Sequence, residues 1–382
     1  MLDPLGPPPQ WLQDLVQPLA EKLSLHSIVP HVHEILLSFV FYQLLQSVVS
    51  PWLSTRLFPK FYPNFPARTK LNWDIHVVSL VQSSLINILA LYVMFMDNER
   101  KNMTSGERVY GYLGSSGLIQ GMATGYFIWD LIVSTVHIKI FGIGLWFHAI
   151  SALWVFSLGF RPFVNYYGPT FILYELSSPF LNFHWFFDKV NMTGGRAQWY
   201  NGMMLLAVFF SCRLVWGTWQ SVRVFLDIFG AYTQSNGAAS QLEPFDINSM
   251  IFKDTGSCVD EVCSKATAEV SRFAQYNAGG IPFWLVLTYL GSNLILNSLN
   301  FYWFYKMIDT VLKRFRTPAA KDKKLEAKAE KLDAQEIVIE AAAKLEEENF
   351  FINGSADAGE PKVPIAVVSG STTATGARRR KA

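Results

Sequence analysis

Seven stretches of about twenty mostly apolar residues dominate this chain and leave it few ways to fold. Lipid offers no hydrogen bonds to a backbone, so a segment of roughly 20 apolar residues crosses a bilayer as an α-helix. The segments run 35–53, 76–96, 109–133, 140–160, 163–187, 201–225 and 283–305. The expected fold is therefore all-α, a polytopic transmembrane bundle of about seven helices. The first segment is the weakest, since it carries Gln43 and Gln46 and stops at Pro51. Gly168-Pro169 interrupts the fifth, which reads as a kink or a re-entrant start, so six or eight spans stay open. Composition agrees. Hydrophobic residues make up 51% and charged ones 16%, against about a quarter charged in soluble domains.

The formal charge of +2 conceals an uneven distribution, sparse in the apolar body and dense after Lys306. Basic residues form no groove-like patch with interleaved aromatics, which argues against nucleic acid as a partner. Three cysteines support neither a disulfide scaffold nor a zinc module, and no metal or cofactor is expected. Residues 1–10 are Pro-rich and lack the basic, apolar and small-residue order of a cleaved signal peptide.

Lys and Arg in short connections set the orientation. Arg56, Lys60, Arg68 and Lys70 follow the first segment, and Lys306, Lys313, Arg314 and Arg316 close the last. With seven spans both groups are cytosolic when the N-terminus is lumenal. Residues 1–34 then form a lumenal N-terminal segment, and 35–72 the first span with its basic loop. Asn102-Met103-Thr104 becomes a lumenal glycosylation candidate at Asn102, whereas Asn191-Met192-Thr193 becomes cytosolic. The connection 230–280 becomes lumenal too. Cys258 and Cys263 lie close enough there to pair in an oxidising compartment, or to remain two free thiols. Residues 307–350 read as a charged cytosolic helix and 351–382 as a disordered basic tail.

Ionisable groups at bilayer depth are expensive, about 2.5–3.5 kcal/mol on insertion scales, and they face protein or water. His76, Ser79, Ser83 and Asn87 share one helix face. Gly117, Gly121 and Gly125 repeat every fourth residue, a spacing that lets a neighbouring backbone approach closely. Asp130 and His148 are read as a candidate base and its orienting partner. Glu175, Asn182, Arg213, Asn297 and Asn300 are read as the polar lining of a lipid cavity.

At the fifth segment the pattern becomes specific. Glu175-Leu176-Ser177-Ser178-Pro179-Phe180-Leu181-Asn182, followed by Trp185-Phe186-Phe187, resembles the TLC domain. That family is named for translocating-chain-associated, longevity-assurance and ceroid-lipofuscinosis membrane proteins. Gly125-Tyr126-Phe127-Ile128-Trp129-Asp130, Asn201-Gly202-Met203 with Phe209-Phe210-Ser211-Cys212-Arg213, and Asn297-Ser298-Leu299-Asn300-Phe301-Tyr302-Trp303 resemble further family pieces in order. The likeness spans residues 73–306, interrupted by the lumenal insertion, and is nearest to the small eukaryotic TLC-domain proteins. Ceramide synthases are more distant relatives that use two adjacent histidines in the fourth helix. Here Phe147-His148-Ala149 keeps one of them.

The resemblance implies an endoplasmic-reticulum protein that binds or senses lipid and contributes to sphingolipid or phospholipid homeostasis. Its partners would be membrane lipids, fatty acyl chains or sphingoid bases, and a homo-oligomer is left open. The alternative is an acyl-CoA-dependent N-acyltransferase using His148, with acyl-CoA as co-substrate. Ala149, which cannot move a proton, argues against it. A cargo receptor or transporter is the second alternative, although the segment order shows no inverted repeat.

Overall fold

The computed structural model describes residues 2–239, 251–252, 261–277 and 280–316; within these, the side chains of residues 144–145, 148, 235–239, 262–263 and 310–316 fall outside the description. Helices and short helical turns make up almost all of it, with no strand among the described residues. The all-α expectation holds.

The chain enters through α1 (Gln10–Leu23), started by Pro9 and stopped by Ser24 in the left-handed conformation. Trp11, Leu15, Leu19 and Leu23 recur every fourth residue and are all exposed, an apolar stripe on one face. A 3₁₀ turn, His26–His31, leads into α2 (Val32–Leu44). A π-turn at Leu45–Val49 carries α2 into α3 (Ser50–Leu57). Pro51 lacks the N–H that a regular turn requires, so the wider turn beside it follows from the sequence.

The next element, α4 (Ala67–Met96), runs 30 residues with neither Gly nor Pro inside it. Asp97 ends it in an extended conformation and caps the next turn. Two short helices follow, α5 (Asn98–Asn102) and α6 (Ser105–Tyr110). Then come α7 (Gly114–Val136) and α8 (Ile138–Leu158), which Gly142 breaks near its start with φ at +78°.

The fifth segment is not one helix. It comprises α9 (Gly168–Ile172), a 3₁₀ stretch Leu173–Ser177, and α10 (Ser178–Lys189). Pro169 and Pro179 each sit at a helix start, where a missing N–H costs nothing. The sixth, α11 (Arg196–Phe209) and α12 (Gly217–Ala239), is joined through a π-turn at Phe210–Trp216. α13 (Glu261–Ser271) and α14 (Phe283–Arg316) complete the described chain.

Among the described residues three runs, His26–Leu57, Ala67–Met96 and Arg196–Gln234, are long and apolar enough to cross a membrane, against the seven segments read from hydropathy. Exposed Leu36, Leu37, Phe41, Ile88, Tyr92, Phe95, Val215, Trp219, Val222 and Phe225 lie on these runs, as lipid-facing surfaces would. Packing centres on α7, which lies along α2, α8 and α4, and α10 lies between α4 and α11.

The glycine repeat of α7 is a packing device, as its spacing predicted. A Cβ on Gly117 would collide with the His31 ring, and one on Gly121 would lie 2.8 Å from Glu34 Oε2. At Gly125 it would meet the Ile35 carbonyl. These three positions let α2 press directly against the α7 backbone.

The connection 97–113 is more than a charged loop. Asp97 accepts from the Arg100 backbone and from Ser115, and Arg100 donates to Thr170 at 2.6 Å. The Arg100 guanidinium lies 3.8 Å over the Tyr166 ring. Arg108 grips Asp227 of α12 with two hydrogen bonds of 2.6 and 2.8 Å, and Tyr167 donates to the same carboxylate. That carboxylate holds the Arg108 guanidinium even more firmly charged than usual. The sequon's Asn102 is exposed, and Thr104 and Glu107 form a reciprocal capping box on α6. Cys258, Cys263 and the tail beyond Arg316 lie outside the described residues or side chains.

Candidate functional site

The two irregular stretches of backbone meet. The 3₁₀ stretch Leu173–Ser177 packs against the π-turn Phe210–Trp216, and Arg213 belongs to that turn. π-turns inside helices concentrate at functional positions because they re-aim one side chain and free a carbonyl. Here Arg213 Nε donates to the Tyr174 carbonyl at 3.0 Å and to Ser177 Oγ at 3.2 Å. Its Nη1 donates to Asn300 Oδ1 of α14 at 3.3 Å. All three acceptors are neutral, and neither Glu175 nor Asp130 forms an ion pair with it.

Glu175 is engaged elsewhere. Ser178 donates to its Oε2 at 2.6 Å. One turn on, Asn182 accepts from His76 Nδ1 at 2.8 Å and donates to Ser79 Oγ at 3.0 Å. Of the polar face read from α4, His76 and Ser79 meet α10, whereas Ser83 and Asn87 donate to carbonyls of their own helix. His76 also stacks on Trp185, with ring centroids 4.1 Å apart. The asparagine seam of α14 joins from the other side: Asn297 accepts from the Tyr174 hydroxyl at 3.3 Å and donates to Ser221 of α12.

The five lining residues named from sequence therefore form one band. Glu175, Asn182 and Arg213 gather around Leu173–Ser177, and Asn297 and Asn300 close it from α14. Asp130, on α7, lies within electrostatic reach of Glu175, with Tyr126 near both. The other half of the candidate catalytic pair, His148, has its side chain outside the description, while Ala149 beside it is fully buried.

A pocket of about 30 Å³ opens at this band, lined by Ser177, Ser178, Leu181, Leu205, Phe209, Arg213 and Met307. That volume suits one or two waters, so no tunnel for an acyl chain is formed here. It pairs one cation and two hydroxyl-bearing residues with apolar walls. Sequence reasoning missed Tyr174, whose carbonyl and hydroxyl link Arg213 to Asn297, because a tyrosine in an apolar run carries no special signal. His184 of α10 is 2% exposed and lies beside Gln198.

With this geometry in hand, the TLC domain family profile matches residues 72–309. The chain belongs to the TLC domain family. It is 34% identical over 306 residues to an uncharacterized TLC domain-containing protein of Schizosaccharomyces pombe, covering 80% of this chain and 87% of that one. It is 29% identical to topoisomerase I damage affected protein 4 of Saccharomyces cerevisiae, over 79% of this chain and 94% of the relative. Human TLC domain-containing protein 4 matches at 30% over 47% of this chain and 67% of its own length. No solved structure matches. The site band falls wholly inside the TLC domain, whereas α1 to α3 precede it.

Proposed function

We propose that this TLC-domain protein binds a membrane lipid through its headgroup and contributes to sphingolipid or phospholipid homeostasis in the endoplasmic reticulum. The observation that carries this reading is Arg213: a guanidinium at mid-helix whose described partners are all neutral and which lines a small amphipathic pocket. A charge at such depth is expensive without compensation. The phosphate or carboxylate of an amphiphile would supply it through charge-assisted hydrogen bonds, while Leu181, Leu205, Phe209 and Met307 bear on the start of its chain. Ser178 joins the pocket to Glu175, which sets an acid near the cation, as a zwitterionic headgroup requires.

In this reading the chain crosses the membrane several times, with its N-terminus lumenal and its C-terminus cytosolic, as the Lys/Arg asymmetry of the connections argues. Glycosylation at Asn102 and none at Asn191 supports that orientation, and the reverse pattern rejects it.

The test is to purify the full chain, identify co-purifying lipids by mass spectrometry, and compare Arg213→Gln. A defined lipid class retained by the wild type and lost from the variant supports the reading. Equal lipid profiles in the two reject it. The same preparation, given acyl-CoA and a sphingoid base, decides about catalysis: turnover abolished by His148→Ala would make it an acyltransferase instead.

A further inference from the structure

A second buried polar cluster lies at the N-terminal end of α7, built mainly by residues that precede the TLC domain. His31 and Glu34 stand where the turn His26–His31 passes into α2, and Asp3 reaches them from the segment before α1. His31 Nδ1 is 2.8 Å from Glu34 Oε2 and 3.8 Å from Asp3 Oδ2. One donor atom from each of these three residues lies within 4.8 Å of the others. The His31 and Glu34 side chains are wholly buried, and Asp3 is 13% exposed.

The geometry points to a divalent-cation site of the zinc class, held by Asp3, His31 and Glu34. One imidazole nitrogen and two carboxylates are a donor set that zinc accepts, at about 2.0–2.2 Å from each atom. Donors so placed around one ion stand roughly 3–4 Å apart, close to the separations found. The His31 Nε2 is hydrogen-bonded to the Tyr112 hydroxyl. Such a partner on the remote nitrogen fixes the ring and presents Nδ1 to an ion.

An independent observation is the second Glu34 oxygen. Oε1 is buried and has no hydrogen-bond partner, a state that bidentate binding of a cation would satisfy. Glu269 is close to Asp3 at the Gly114 position, and Arg272 lies 3.6 Å from Glu269 and within electrostatic reach of His31, so one cation stands beside three carboxyl groups. A polar pocket of about 160 Å³, lined by Val29, Pro30 and Arg272 among others, lies next to His31 along the chain. Bound there, the ion would staple the N-terminal segment and α2 to the TLC domain.

The experiment uses untagged full-length protein, freed of metal by chelator, dialysed against micromolar zinc chloride, and read by elemental analysis and thermal unfolding. The expected result is about one zinc per chain and a Tm raised by zinc. Asp3→Asn and Glu34→Gln should each weaken zinc binding at least about tenfold. Asp3→Asn carries the test if the buried Glu34 variant does not fold, because Asp3 lies at the cluster's edge outside any helix. A wild type that takes up no zinc overturns the site, as does full zinc content in Asp3→Asn. In that case the cluster is a chain of shared protons, running from Tyr112 through His31 to the two carboxyls.

Discussion

The imidazole of His31 fills the space that a Cβ on residue 117 would take. The pair joins two scales of the molecule, because a glycine spacing legible in α7 admits a polar side chain from the turn that leads into α2. Gly117→Ala is therefore expected to destabilise, by about 1–3 kcal/mol from overpacking a buried and hydrogen-bonded ring. Gly291→Ala is the control, since nothing lies within 4 Å of its added methyl, and alanine in an open helix position is neutral or favourable. Thermal unfolding in detergent should separate the two, and a Gly117→Ala midpoint equal to wild type would show the contact to be slack.

Asp227 is the single carboxylate that holds both Arg108 and Tyr167. Replacing it by Asn leaves a guanidinium, 18% exposed, without its anion. The expected loss is about 3 kcal/mol, the low end for breaking a buried pair, since this one is partly wet. Lys265→Ala removes a pair with Glu261 that is 64% and 81% exposed, and should leave the midpoint unchanged. Equal effects from both would mean that the Arg108 pair adds nothing beyond surface electrostatics.

Thr104 has two separable roles. As the cap of α6 it exchanges hydrogen bonds with Glu107, so Thr104→Ala should cost about 0.5–2 kcal/mol even where no glycan is added. The same change also destroys the Asn102 sequon. Thr104→Ser keeps the cap and the sequon, so its midpoint should match wild type. If Thr104→Ala in bacterially produced protein unfolds like wild type, the capping box is dispensable.

Asn182 bridges His76 and Ser79 across the α4–α10 interface. Asn182→Leu removes the acceptor for His76 Nδ1 and a donor to Ser79 at a buried site, with an expected cost of about 1–3 kcal/mol. Because the band around Leu173–Ser177 is shared, the variant should also lose lipid in the co-purification assay. Retained lipid with lowered stability would confine Asn182 to a structural part.

Much of the architecture was legible because lipid removes choices. The helical class, the break at Gly168-Pro169 and the glycine seam appear where length and spacing place them, whereas three runs among the described residues are long and apolar enough to span and the third segment's helix starts at Gly114 instead of 109. The five polar positions read as a cavity lining find hydrogen-bond partners around Leu173–Ser177 and α14, but only Arg213 lines the pocket there. Residues 97–113 were harder. The fold buries Asp97 and Arg100 against α7 and Thr170, although their sequence context is that of a charged connection. Nothing local distinguishes a charge in a loop from one folded under it.

Hydropathy and motif spacing alone thus determined an all-α TLC-domain chain and the polar residues of its apolar segments, because backbone satisfaction in lipid is a constraint on each segment separately. Only the tertiary structure decided which of those residues meet. It gave Arg213 neutral partners in place of a carboxylate and brought Asp3 to His31 and Glu34. Both depend on how helices far apart in sequence lie against one another, and no periodicity records that.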